Sequence, residues 1–232
     1  MSLACASCPV RDRAACAVLS EDERSALARA GRETVLGPGE MLFAAGDEDA
    51  ACATLVSGAL KISSCDAEGN ERILALVHPA GFIGELFEPF AEHDVTALTD
   101  SKLCTFSKGA MDKALDAHPT LTRALLRRSQ EDLHASRRLL EMAGKNSARE
   151  RVGALIWAMA NAASDSPCHP AQSFDLPLKR GEMANLLGLT IETVSRALTW
   201  LEKDGTIQRD GARGIHLADA ARLQSLAEGE GG

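Results

Sequence analysis

The residues with the most chemistry in them stand at opposite ends of the chain. Cys5, Cys8 and Cys16 open it, spaced Cys-x2-Cys-x7-Cys in a short leader. Deprotonated thiols are metal ligands, and Cys-x-x-Cys sets two of them on one loop. A [4Fe–4S] centre takes four thiolates. A structural zinc site built on four cysteines is a second reading, and an unligated leader is a third. A haem has less support, because no histidine stands in a telling context. Near the other end, Glu192, Thr193, Ser195, Arg196 and Thr199 fall on one face of an apolar-periodic segment. Arg196 can donate two hydrogen bonds to guanine O6 and N7, and Glu192 can accept from a cytosine or adenine amino group. Ser195 or Thr193 can contact a base or a phosphate. Thiols at one end and a base-reading face at the other imply a metal-based sensor coupled to DNA.

Those side chains need positioning elements. Glu182–Leu187 reads as a short helix, Gly188-Leu189 as a turn, and Thr190 as the cap of a helix over Ile191–Lys203. Met183, Leu186, Leu187, Leu189, Val194, Leu198 and Leu201 are spaced to pack the two helices together. The second helix is then the one that enters a major groove. Ile207-Gln208 and Ile215-His216-Leu217 around Asp210-Gly211 predict a β-hairpin wing, whose Arg209 and Arg213 reach phosphates. Arg180 completes the candidate DNA contacts. The competing reading is a helix pair inside an enzyme, with Glu192 and Arg196 as a surface ion pair four residues apart.

Upstream, Ser20 predicts the N-cap of a helix reaching Arg29. From Val35 to about Phe106 short apolar runs (Met41–Phe43, Thr54–Val56, Leu60–Ile62, Ile73–Val77, Val95–Leu98, Leu103–Phe106) alternate with glycine turns. That pattern predicts a β-barrel or jelly roll. Helical periodicity returns at about Lys108, and Pro119 fits the first turn of a long helix to about Ala143. Along it Leu126, Leu133 and Leu140 recur every seven residues, the spacing of a two-helix seam. The companion positions Ser129, Ser136 and Ala143 are small or polar, so the seam should pair weakly. Alternatively, these leucines cover the β-domain. Gly144–Ser147 ends that helix, and Ser147 caps another through about Ala163. A proline-containing loop follows, from Ser164 to Ser173.

Of the 232 residues 45% are hydrophobic, enough for a core, while aromatics make up 3% and tyrosine is missing. No apolar run approaches the ~18–20 residues of a membrane span, and no signal-peptide core opens the chain, so the expected location is the cytoplasm. Seven cysteines, an odd number, favour free thiols or ligands over a disulfide framework. Cys52 and Cys65 fit ordinary packing, and Cys168 is incidental. Of the net charge of −8, −7 lies in residues 1–144, with 15 basic and 22 acidic side chains; residues 145–218 carry 9 and 8, and the tail 1 and 3. Near neutrality permits phosphate binding without arguing for it.

A leader, a glycine-punctuated β-roll, a long helix and a winged helix in this order resemble the CRP/FNR superfamily over nearly the whole chain. The resemblance is strongest in Leu186-Leu187-Gly188-Leu189-Thr190-Ile191-Glu192-Thr193-Val194-Ser195-Arg196, close to the recognition region of the FNR branch. It implies an α+β chain: leader 1–19, a jelly-roll, cyclic-nucleotide-binding-like sensor domain 20–118, a dimerisation helix 119–144 and a winged helix-turn-helix domain 145–232. It further implies that Glu192, Ser195 and Arg196 read TTGAT half-sites in an inverted repeat, that the partners are DNA, a second copy and RNA polymerase, and that the chain is no enzyme. Lys179 stands where the family often has a capping Thr or Ser, a departure that loosens the first helix. In that branch a fourth cluster ligand comes from the end of the β-roll, where Cys104 falls. The resemblance thus implies a [4Fe–4S] cluster on Cys5, Cys8, Cys16 and Cys104 that promotes dimerisation at low oxygen. Cyclic nucleotide is not expected. Phe82-Ile83-Gly84-Glu85-Leu86 keeps part of the phosphate-binding segment, but His93-Asp94-Val95-Thr96-Ala97 puts a carboxylate where a phosphate-clamping arginine belongs.

Overall fold

A computed structural model describes residues 3–164, 166 and 168–229. The chain divides into two compact units, Met1–Ser136 and Arg137–Gly232.

In the first unit the leader forms two 3-10 turns, Cys5–Ser7 and Ala15–Val18, before helix α1, Glu21–Ala30. The Ser20 cap is present as a reciprocal box. Its hydroxyl accepts from the Glu23 N–H, and its own N–H donates to Glu23 Oε2 at 2.8 Å. Eight strands follow: β1 Gly31–Leu36, β2 Met41–Phe43, β3 Cys52–Ser57, β4 Leu60–Cys65, β5 Glu71–Val77, β6 Phe82–Ile83, β7 Asp94–Ala97 and β8 Ser101–Phe106. They form two four-stranded antiparallel sheets, ordered β1-β8-β3-β6 and β2-β7-β4-β5. Leu36, Ala53, Leu55 and Leu103 of one sheet share a buried core with Phe43, Leu60, Val77, Val95 and Ala97 of the other. This is the expected jelly roll, with β1 beginning earlier than its polar residues Arg32 and Glu33 suggested.

Strand parity decides what lies outside that core. Successive side chains of a strand point to opposite faces. In β3, Ala53 and Leu55 point between the sheets, so Cys52, Thr54 and Val56 point out. In β8, Leu103 points in and Cys104 points out. Helix α2, Lys108–Ala117, capped by Ser107, and the start of helix α3, Pro119–Ala143, close over this outer face. Phe106, Met111, Leu125 and Cys52 pack together there, joined by Leu27, Ala15 and Cys104.

Helix α3 separates two sets of leucines. Leu121 and Leu125 are buried, whereas Leu126, Leu133 and Leu140 are 72%, 49% and 70% exposed. The reading in which the heptad leucines cover the β-domain is therefore corrected: Leu121 and Leu125 do that, on a neighbouring face of the helix.

The second unit holds α4 Ala148–Ala162, β9 Ser173–Asp175, α5 Arg180–Leu187, α6 Ile191–Lys203, β10 Ile207–Asp210, β11 Gly214–Leu217 and α7 Ala220–Glu228. Ser147 caps α4 in a second reciprocal box with Glu150. The wing has three strands, β10-β11-β9, because Phe174 pairs with Ile215. Leu223 and Leu226 of α7 complete the core. Among the described residues, no helix is long and apolar enough to cross a membrane.

Candidate metal centre and nucleic-acid interface

The leader lies against the outward face of the β1-β8-β3-β6 sheet. Val10 and Ala14, 1% and 4% exposed, pack with Ala80, and Cys8, Cys16 and Val56 pack against them. Burying a valine stabilises by about 1.5–3 kcal/mol, so the leader has an apolar anchor besides any ligand. Cys104 occupies the middle of the sheet, opposite Glu33 of β1 and Thr54 of β3.

Cys5, Cys8, Cys16 and Cys104 border one small cavity, with Thr54, Phe82, Leu121 and Leu125 among its walls. All four are half-buried free thiols. They sense one another electrically. The Cys104 thiol is pushed up to about 12, first by burial and then by thiolate charge at Cys8, Cys5 and Cys16. Burial and then the Cys8 charge also raise Cys5 and Cys16. A bound cation would be what stabilises Cys5, Cys16 and Cys104 as thiolates. Among the described residues, no group of three or more His, Cys, Asp or Glu side chains is arranged to hold a metal ion. Zinc needs its sulfurs about 2.3 Å from one centre. A four-iron cluster instead takes one thiolate at each iron corner, which spreads its ligands. The four residues fit such a group in donor type, number and shared cavity.

One neighbour of the thiols was not singled out from the sequence. Arg24 of α1 borders the same cavity and is 7% exposed. Its Nε donates to the Cys16 carbonyl at 3.3 Å, and its Nη2 to the carbonyls of Leu19 at 3.0 Å and Ala17 at 3.3 Å. Its Nη1 has no hydrogen-bond partner. The only hint in the sequence is an arginine eight residues after Cys16, in a helix whose first turn is acidic.

In the second unit, Gly188 ends α5 at φ +62 and Thr190 caps α6 by accepting from the Thr193 N–H at 3.2 Å. Val194, Ala197, Leu198 and Leu201 are buried at helical spacing. Glu192 and Arg196 are exposed on the first two turns, with Thr193 and Ser195 half-buried between them. The Glu192 carboxyl is held below its usual range by backbone and Thr190 hydrogen bonds and, more weakly, by the Arg196 charge. Those two side chains form no ion pair among the described residues, so the i,i+4 surface pair is not made and the Arg196 fork is free. Thr193 Oγ1 is shared with Thr190 Oγ1 at 3.0 Å.

Arg180, Lys179 and Arg213 line a common groove beside the wing. Arg209 borders that groove too and is held by Glu202. Its Nε donates to Glu202 Oε2 at 3.0 Å and its Nη2 to the same oxygen, which braces the wing against α6. At Lys179 half of the α5 cap survives, because Glu182 Oε2 accepts the Lys179 N–H at 2.6 Å. Arg149 stacks over Trp200 of α6 with its Cζ 4.4 Å from the ring centre.

Residues 33–118 match the cyclic nucleotide-binding domain family and residues 150–226 the Crp-like helix-turn-helix domain family. The Transcriptional activator protein FnrL of Cereibacter sphaeroides is 32% identical over 222 residues, 94% of this chain and 90% of that protein. The chain belongs to the CRP/FNR superfamily of transcription regulators.

Another relative of this CRP/FNR regulator is the Nitrogen fixation regulation protein FixK of Bradyrhizobium diazoefficiens. It is 28% identical over 230 residues, covering 96% of this chain and 93% of that protein. Among solved structures, FixK2 from Bradyrhizobium japonicum superposes with a TM-score of 0.75 at 25% identity, covering 84% of this chain and 96% of that one. Its relatives are regulators of transcription, and this CRP/FNR regulator is not an enzyme.

Proposed function

We propose that the chain is an oxygen-responsive transcription regulator of the cytoplasm. In this reading a [4Fe–4S] cluster on Cys5, Cys8, Cys16 and Cys104 favours a homodimer that binds TTGAT-type inverted repeats when oxygen is scarce. The observation that carries it is the convergence of three leader thiols and one strand thiol on a single cavity. When bound, the cluster supplies oxygen-labile iron–sulfur bonds between the leader and the β-roll. The chain's own residues do the rest. Val10 and Ala14 hold the leader on the sheet, and Phe82, Leu121 and Leu125 wall one side of the thiol cavity with apolar surface. Leu126, Leu133 and Leu140 present an apolar stripe to a second copy. Two-fold pairing of that kind would set two α6 helices about 34 Å apart, one DNA turn. Glu192, Thr193, Ser195 and Arg196 then face base edges, Arg180 and Arg213 face phosphates, and RNA polymerase is the further partner. The domain roles follow: 1–19 binds the cluster, 20–118 senses, 119–144 dimerises and 145–232 binds DNA.

The test is anaerobic reconstitution with iron and sulfide, comparing the wild type with Cys104→Ala. The expected result is a brown wild-type protein with about four iron per chain and a variant that loses the cluster. A variant holding the full complement refutes Cys104 as the fourth ligand. A second reading, a metal-free family regulator acting constitutively or on another ligand, is favoured by the lack of a ready-grouped ligand set among the described residues. Oxygen-free protein containing no iron would establish it.

A further inference from the structure

Among the described residues Arg24 is the one charged residue that is buried, at 7% exposure. Burying a cation without an anion is costly, and such groups are found paired. Arg24 has one such partner, and a distant, solvated one. Its Nε and Nη2 are satisfied by the neutral carbonyls of Cys16, Ala17 and Leu19. The nearest carboxylate oxygen, Glu21 Oε1, is 3.7 Å from Nη1, beyond hydrogen-bond reach, on a side chain that is 71% exposed and screened by water. Nη1 itself is buried and makes no hydrogen bond. The cavity that Arg24 borders is the one shared by the four thiols.

We infer that Arg24 is the buried counter-charge of the metal centre, with its free Nη1 N–H donating to a sulfur of the anionic group held by Cys5, Cys8, Cys16 and Cys104. The inference rests on the cluster reading above. An iron–sulfur centre with four thiolate ligands is a net anion in both of its common oxidation levels. It therefore supplies the desolvated negative charge that Arg24 lacks. Hydrogen bonds to the sulfurs and nearby charge set the potential of such a centre. A cation stabilises the electron-richer level more, so Arg24 raises the potential. Through Nε and Nη2 the same guanidinium grips the backbone that follows Cys16, which couples the state of the centre to the seating of the leader. Arg24 is a positioning and tuning residue, not a ligand.

The experiment uses the full chain, reconstituted anaerobically, as wild type, Arg24→Gln, Arg24→Lys and Arg11→Gln. Arg11 borders the same cavity and serves as the comparison, because its guanidinium is half-exposed and already paired with Glu21. Iron content is measured first, then the midpoint potential and the iron–cysteine stretching bands in resonance Raman spectra. The expected result is a lower potential and shifted bands in Arg24→Gln, with Arg24→Lys and Arg11→Gln near the wild type. Iron-loaded Arg24→Gln with wild-type potential and bands overturns the inference while leaving the cluster intact, and so does an equal shift in Arg11→Gln. If Arg24→Gln takes up no iron, Arg24→Lys decides. Uptake at least tenfold better than in Arg24→Gln supports the counter-charge, whereas uptake as poor reduces Arg24 to a clasp for carbonyls and overturns it. An iron-free wild type overturns the cluster reading and this inference together.

Discussion

Replacing Leu126 by alanine should split the dimer without unfolding the chain. Leu126 is 72% exposed, so its removal leaves almost no cavity within the protomer. Full burial of a leucine is worth about 1.5–3 kcal/mol, and roughly 1–2 of that remains for the partner helix to supply. A two-fold seam contains the residue twice, so Leu126→Ala should cost about 2–4 kcal/mol of association. At about 1.4 kcal/mol per decade, the dimer dissociation constant rises from about 30-fold to several hundred-fold. Sedimentation velocity on the oxygen-free protein over a concentration series measures this directly. Thermal unfolding of the protomer serves as the control and should move little. Leu125→Ala should do the reverse, because Leu125 is 8% exposed and packs with Phe106 and Met111. A large loss of protomer stability is expected there, about 2–5 kcal/mol. An unchanged dissociation constant in Leu126→Ala, or a fall in protomer stability as large as that of Leu125→Ala, refutes the seam.

Arg196→Ala should weaken binding to a TTGAT inverted repeat by about 1–3 kcal/mol per half-site and barely affect scrambled DNA. Fluorescence anisotropy at one fixed salt concentration checks this, and equal losses on both duplexes would reduce Arg196 to a phosphate contact. Gly58→Ala should destabilise the β-roll by about 2–5 kcal/mol, combining left-handed strain with overpacking. The reason is that Gly58 sits at φ +94 and an added Cβ would overlap Ser101 Oγ and the Asp100 carbonyl oxygen. Gly39→Ala, at φ +88 in open space, should cost only the strain, and similar urea midpoints for the two variants would contradict the overlap. The Cys52 thiol is pushed from 9.0 up to about 11, by burial first and then by the Asp112 charge. The fold thus favours the neutral thiol, and the stability this contributes is whole below pH 9 and lost as pH rises through 11. Metal-free wild type should therefore lose more stability over that interval than Cys52→Ala, and parallel denaturation curves against pH would rule the effect out.

What the sequence revealed and what it hid follow from the range of the forces involved. The helix-turn-helix was legible because Gly188, the Thr190 cap and the apolar spacing from Met183 to Leu201 are all local, and each agrees with the others. Cys104 was legible only through resemblance, yet its orientation follows from parity, since Leu103 belongs between the sheets and its neighbour must turn outward. Strand β9 was hidden because its one inward residue, Phe174, is explained by pairing with Ile215, 41 positions away. Helix α7 was hidden because Leu223 and Leu226 span less than one turn, too little for a period to show. Two arginines owe their setting to partners that the sequence pattern does not mark. Glu202 holds Arg209, and three backbone carbonyls close around Arg24. Carbonyls occur at every residue and leave no mark in a sequence, so a cation they bury cannot be told from a solvated one by pattern. What can be read from the fold is the remainder: a guanidinium with two of its nitrogens satisfied, its third unsatisfied, and four thiols around the cavity that it borders. The electrostatic cost of that arrangement is what makes a bound anion at the thiols the economical account of both Arg24 and the cysteines.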